Sequence, residues 1–152
     1  MPGSRRRTFG GRSKRARADR ASPKSSRGRA VDVAYDRNNI FARILRSEIP
    51  CQKVYEDVHV LAFSDIRPQA PVHVLVIPKG EYVSLDDFAA KAPAAEQAAF
   101  VAAVGKVARQ LGLTEAGYRV LANHGADAGQ EVPHFHVHIF GGKRLGRMLP
   151  RE

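Results

Sequence analysis

The stretch best equipped for chemistry is His134-Phe135-His136-Val137-His138-Ile139-Phe140. Its three imidazoles alternate with apolar residues, and side chains of an extended strand alternate between two faces. The spacing therefore places all three rings on one face and Phe135, Val137 and Ile139 on the other. A neutral imidazole is a competent nucleophile and proton carrier near pH 7. A strand with packing residues on one side and three such rings on the other reads as a reaction surface. Two other readings stay open: the histidines are structural or solvated, or they ligate zinc. Three ligands spread along one strand reach a single ion awkwardly, and no Cys-x-x-Cys accompanies them.

A reaction surface needs a scaffold, and the chain supplies signals for one. Asn38 and Asn39 are N-cap residues for a helix carrying Ile40, Phe41, Ile44 and Leu45, with Pro50 as its stop. Val54 to Glu56 and Val58 to Phe63 read as a hairpin, Val72 to Ile77 as a central strand, and the Asp65 to Pro71 stretch between them as a loop. Ser84-Leu85-Asp86-Asp87 has capping-box character and opens a short helical turn. Residues 93–111 form one long helix, with Val101, Val104, Ala108 and Leu111 on its apolar face and Gly112 as its stop. A fourth strand at 118–122 and a glycine-bearing loop at 123–130 lead into a fifth strand at 134–140. Hairpins and a helix between strands point to an α+β fold with a five-stranded, mainly antiparallel sheet, one long helix and one short helix.

Charge divides the 152 residues into two parts. Residues 1–30 hold eleven Lys and Arg against the single acid Asp19, and the rest of the chain holds fourteen of each sign, so the net +10 belongs to the tail. Residues 1–37 read as a basic, disordered N-terminal extension, too poor in apolar surface to offset the entropy of ordering. It could make a weak nucleic-acid contact through phosphate neutralisation, act as an organelle transit peptide, or be untranslated sequence ahead of the true start. Cys51 is the only cysteine, which excludes an intrachain disulfide and suits a reducing cytoplasm. No apolar run approaches a membrane span.

Gln130-Glu131-Val132-Pro133-His134-Phe135-His136-Val137-His138-Ile139-Phe140 resembles the signature of the histidine triad (HIT) family. Ile40 to Ile44, Ala62 to Pro71 and His73 to Lys79 resemble its Hint branch, the purine nucleoside phosphoramidases. The resemblance covers residues 38–148 and implies a HIT domain there. It further implies a homodimer and a site that binds a purine nucleoside monophosphate and cleaves a bond at its α-phosphorus, releasing AMP, with no cofactor or metal required. By the same resemblance His136 is the nucleophile and His134 holds it in the useful tautomer through backbone and ring. His138 contacts the phosphate and assists the leaving group, and His73 supports the cluster from the neighbouring strand. Asp65 would accept from the ribose hydroxyls, while Asn123 and the Gly129-Gln130 backbone would lie against the phosphate. Phe41, Ile44, Phe63, Ile66 and Leu75 would form the base pocket, although by pattern alone each is a core residue and Asp65 an ordinary turn aspartate. Glu131 departs from the pattern, since many Hint sequences have serine there. Its carboxylate would repel a phosphate, so it is expected to turn away or meet a neighbouring base.

Overall fold

The computed structural model describes Gly28 and residues 32–151. Readings of the extension that fall on residues 1–27 and 29–31, including its nucleic-acid contact, lie outside the described residues. Five strands, β1 (Lys53–Glu56), β2 (Val60–Ser64), β3 (Val72–Pro78), β4 (Arg119–Leu121) and β5 (Val137–Gly141), form one antiparallel sheet in the order β1-β2-β3-β5-β4. Among the described residues three helices accompany it: α1 (Ile40–Leu45), α2 (Leu85–Lys91) and α3 (Ala94–Gln110).

Local chemistry accounts for most of the element ends. Asn39 caps α1, its side-chain oxygen accepting from the Ala42 amide at 2.9 Å. The helix ends sooner than Pro50 because Ser47 adopts a left-handed backbone conformation, φ 60°. Asp57 closes the β1–β2 turn by accepting from the amides of His59 and Val60, both at 2.8 Å. At α2 the capping is reciprocal: the Asp87 amide donates to Ser84 Oγ at 3.2 Å, and the Val83 amide donates to Asp87 at 2.9 Å. That double cap makes α2 a helix of seven residues rather than a single turn.

The sheet has two buried faces. Val74 and Val76 of β3 and Val137 and Ile139 of β5 point toward the helices, where Phe88, Phe100 and Phe135 stack with centroids 4.9–5.2 Å apart. Leu61, Phe63, Leu75 and Ile77 point the other way and pack with Phe41 of α1. The face of α3 differs from the sequence reading. Val101 is 72 % exposed, and the buried residues are Phe100, Ala103, Val107 and Ala108, with Val104 and Leu111 at the margin. In an alanine-rich helix the branched residues are a poor guide: small side chains bring the backbone close to the sheet, and the one large ring, Phe100, fills the remaining space.

Two further departures concern the site. The fifth strand starts at Val137 instead of residue 134, because Pro133 has no amide to donate and the Phe135 amide leaves the ladder for Tyr82 O at 2.7 Å. Residues 32–37, assigned by composition to the extension, lie against the domain. Tyr35 reaches His134, Asp32 pairs with Lys91 and Arg37 with Glu81.

Replacing Phe100 by Ala should destabilise the protein by about 3–5 kcal/mol, since a fully buried ring leaves a cavity between α3 and the sheet. Val58→Ser, at a position 78 % exposed, should change stability by no more than about 0.5 kcal/mol. Urea denaturation of the two variants checks the difference, and equal effects would contradict this packing.

Candidate active site

Adjacent strands bring the histidines together. Across β3 and β5, His73 is paired with Phe140 and Leu75 with His138, so His73, His138 and Phe140 share the face that carries Leu75 and Phe63. His136 precedes β5 and keeps the alternation, its ring 5.1 Å from that of His138 and edge-on to Phe41 at 5.0 Å. His136, His138 and Phe41 line a cleft of about 640 Å³, a size suited to a small organic ligand.

Hydrogen bonds fix the tautomers. His136 Nδ1 lies 2.7 Å from the carbonyl of His134, which can only accept, so Nδ1 carries the proton and Nε2 the lone pair. His73 has the opposite arrangement: its Nδ1 accepts from the Gln69 amide at 3.1 Å, which leaves Nε2–H to donate to His138 Nδ1 at 2.9 Å. Neutral His138 then carries its proton on Nε2. One wall of the cleft thus offers a nucleophilic nitrogen and an N–H donor on neighbouring rings. Burial pushes His138 down to about 4, with His136 and His73 adding to the shift, and holds His136 and His73 below the usual 6.5. At pH 7 all three are neutral, the state a nucleophile requires.

Most of the expected residues border the cleft. Phe41, Ile44, Phe63 and Leu75 form its apolar wall, with Ile66 86 % exposed at the rim. Asp65 lines it too, its Oδ1 accepting from the Arg67 amide at 2.7 Å and its Oδ2 3.5 Å from His73 Nε2. Asn123 and Gly129 line the cleft as well.

Two expectations need correction. The His134 ring does not share the cleft: it is 0 % exposed and bonded to Pro78 O and Tyr35, so only its carbonyl holds His136 directly. The Gly129 and Gln130 amides are consumed inside their own loop by Ala126 O and Gly125 O, at 2.9 and 3.0 Å. Gln130 instead stiffens that loop through its side chain, which donates to Val83 O and Val132 O and accepts from the Gly125 amide. Glu131, expected to turn away or meet a neighbouring base, lines the cleft, exposed, and its charge acts on a neighbouring imidazole, partly offsetting the burial of His136.

Arg67, Gln69, Ile49, Pro50 and Cys51 also line the cleft and were not singled out in the sequence. Arg67 and Gln69 fall inside the Ala62 to Pro71 block of the resemblance, where only its other residues drew a role, and Ile49, Pro50 and Cys51 lie in a loop without periodicity. Asp65, His73 and His138 each offer one ligand atom, all within 4.8 Å of one another. A cation there would have to break the His73–His138 hydrogen bond.

Comparison with known proteins identifies relatives in family and fold. The HIT domain profile matches residues 46–145. An uncharacterized 13.2 kDa HIT-like protein of Azospirillum brasilense is 62 % identical over 117 residues, 77 % of this chain and 96 % of the relative. The purine nucleoside phosphoramidase of Escherichia coli K12 is 44 % identical over 115 residues, 74 % of this chain and 94 % of the enzyme. Among solved structures, a HIT family hydrolase from Clostridium thermocellum superposes with a TM-score of 0.69 at 41 % identity, covering 74 % of this chain and 97 % of that one.

Stability should depend on these buried rings. His134 and His138, both pushed down to about 4 by burial, bind fewer protons when folded than when unfolded between pH 4 and 6.5. Protonation then favours the unfolded chain, so stability is full above about pH 6.5 and falls as pH drops toward 4. Urea unfolding between pH 7.5 and 4.5 measures the slope, and a flat profile through that window would contradict neutral, buried imidazoles.

Proposed function

The chain belongs to the HIT domain family, and from that premise we propose that it hydrolyses purine nucleoside phosphoramidates, releasing AMP through a nucleotidyl-histidine intermediate. The observation that carries this reading is the pair of opposite tautomers at one cleft, His136 with a free Nε2 lone pair beside His138 with an Nε2 proton.

In the first step His136 Nε2 bonds to the α-phosphorus as the phosphorus–nitrogen bond of the substrate breaks, and the leaving nitrogen departs as an amine once it gains a proton. Water then attacks the same phosphorus, the bond to His136 breaks, and AMP leaves. Splitting the displacement in two replaces one difficult step with two easier ones. The His138 N–H stabilises charge on the phosphoryl oxygens. A bound phosphate, being anionic, raises the affinity of the imidazoles for protons and lets His138 supply one to the leaving amine. Asp65 faces the ribose hydroxyls, and Phe41, Ile44, Phe63 and Leu75 enclose the base, with Ile66 across the rim.

Glu131 lines the cleft close enough to act on the charge of His136, and a carboxylate there disfavours a polyanionic leaving group more than a cationic one. This favours a phosphoramidate over a dinucleoside polyphosphate. The name of the Escherichia coli relative supports the same substrate class. We further read the protein as a cytoplasmic homodimer: a single cysteine, Cys51, suits a reducing compartment, and β4, at the end of the sheet among the described residues, offers an edge to a second copy.

The test is steady-state hydrolysis of an adenosine phosphoramidate beside a diadenosine polyphosphate, without added metal. Wild type should prefer the phosphoramidate, and His136→Ala should lose about 10⁴-fold or more in kcat while still binding AMP. Full activity in the variant would end the covalent mechanism, preference for the polyphosphate would reassign the substrate, and AMP binding with no turnover of either by wild type would make the protein a nucleotide-binding scaffold. Sedimentation equilibrium should give twice the 16.7 kDa of one chain, and a monomer would refute the dimer.

A further inference from the structure

The family profile begins at residue 46, yet a residue ahead of it, Tyr35, reaches the centre of the molecule. Its hydroxyl lies 2.6 Å from His134 Nδ1, and the two rings meet edge to face with centroids 5.6 Å apart. The direction of that hydrogen bond is determined. The Pro78 carbonyl, 2.8 Å from His134 Nε2, can only accept, so Nε2 carries the proton and Nδ1 has only a lone pair. Tyr35 must donate.

Both nitrogens of a fully buried ring are thereby satisfied, one by the last residue of β3 and one by the chain ahead of α1. The carbonyl of the same residue accepts His136 Nδ1–H at 2.7 Å. Ring and carbonyl share one Cα, so a ring locked in place restrains the carbonyl as well. We propose that Tyr35 is a positioning residue for His136: its hydroxyl fixes the tautomer and orientation of His134, and through the His134 carbonyl keeps the lone pair of His136 on the nitrogen that faces the cleft.

This inference rests on the reading of His136 as the nucleophile. It also explains an electrostatic need of that reading. As His136 Nε2 bonds to phosphorus, positive charge builds on its ring, and an imidazolium at His134 would oppose it. A hydroxyl that donates to His134 Nδ1 occupies the lone pair that would otherwise take up a proton, and so favours the neutral ring. The segment carrying Tyr35 is itself anchored at several points. Arg46 Nη1 donates to Arg37 O at 2.8 Å, the Asn39 side chain donates to Asp36 O at 2.7 Å, and Lys91 of α2 lies 2.9 Å from Asp32. Composition alone gives residues 32–37 to a basic tail; the bonds place them in the support of the site.

The experiment compares the full-length wild type with Tyr35→Phe, which keeps the ring and removes only the donor. Tyr55→Phe serves as the control, removing a hydroxyl that donates to Asp57 away from the cleft. Long-range nitrogen–proton NMR of the imidazoles, recorded without substrate, reads the tautomers. Kinetics on the adenosine phosphoramidate read kcat and KM separately, and thermal unfolding reads stability. Tyr35→Phe should shift the His136 nitrogens from a single Nδ1–H form to a mixture and lower kcat about tenfold, with KM within about twofold. Tyr55→Phe should change neither. Unchanged His136 nitrogens in Tyr35→Phe would overturn the proposal, as would unchanged kcat in an active enzyme, even if the melting temperature fell as in Tyr55→Phe. A wild type that hydrolyses no phosphoramidate defeats the substrate reading instead, and the nitrogen shifts alone then decide the role of Tyr35.

Discussion

The hydrogen bond from His136 Nδ1–H to the carbonyl of His134 is the contact on which the site depends. It joins residues two apart in sequence, so it forms only when the backbone between them has one particular course. Pro133, the Phe135 amide bonded to Tyr82 O, and the Phe135 ring packed against Phe88 and Phe100 impose that course. A stacked apolar core on one side of the chain thus decides which nitrogen of an imidazole on the other side is reactive. An imidazole whose Nδ1 proton found no acceptor would divide its population between tautomers, and part of it would present a proton where a lone pair is needed.

Burying four imidazoles around one sheet face is costly unless each ring nitrogen has a partner or faces a ligand. The fold meets that condition by chaining them. The Gln69 amide serves His73, His73 serves His138, the His134 carbonyl serves His136, and Pro78 O and Tyr35 serve His134. What remains unpaired among these rings are the cleft-side nitrogens, and these are the ones the proposed reaction uses. Desolvation keeps the rings neutral, the state that the proposed nucleophile requires, while the hydrogen bonds offset the cost of burying them.

Much of this arrangement was legible in the residues. Alternation in 134–140 separated Phe135, Val137 and Ile139 from the imidazoles, and that separation holds although His134 and His136 fall outside the strand. The capping signals at Asn39 and Ser84 acted as read, because they depend on bonds to residues three positions away. Less legible were features with distant causes. Branched residues at helical spacing on α3 placed Val101 in the core, whereas the sheet selected Phe100. Gln130 was read through its backbone, whereas its side chain ties two loops together across 47 positions of sequence.

The sequence by itself determined the order of elements, the two-faced character of the triad strand and, through motif resemblance, the family; the same resemblance supplied the proposal of His136 as nucleophile. These rest on periodicity and short-range spacing, which are properties of neighbouring residues. Tertiary structure alone decided the tautomers, the withdrawal of the His134 ring from the cleft, the exposure of Glu131 at its rim and the recruitment of Tyr35. Each depends on a partner brought close by folding: Tyr35 and His134 are 99 positions apart, and His73 and His138 are 65 apart. A proton's place on an imidazole follows from which acceptor lies within hydrogen-bonding distance, and that is settled only when the strands have been paired.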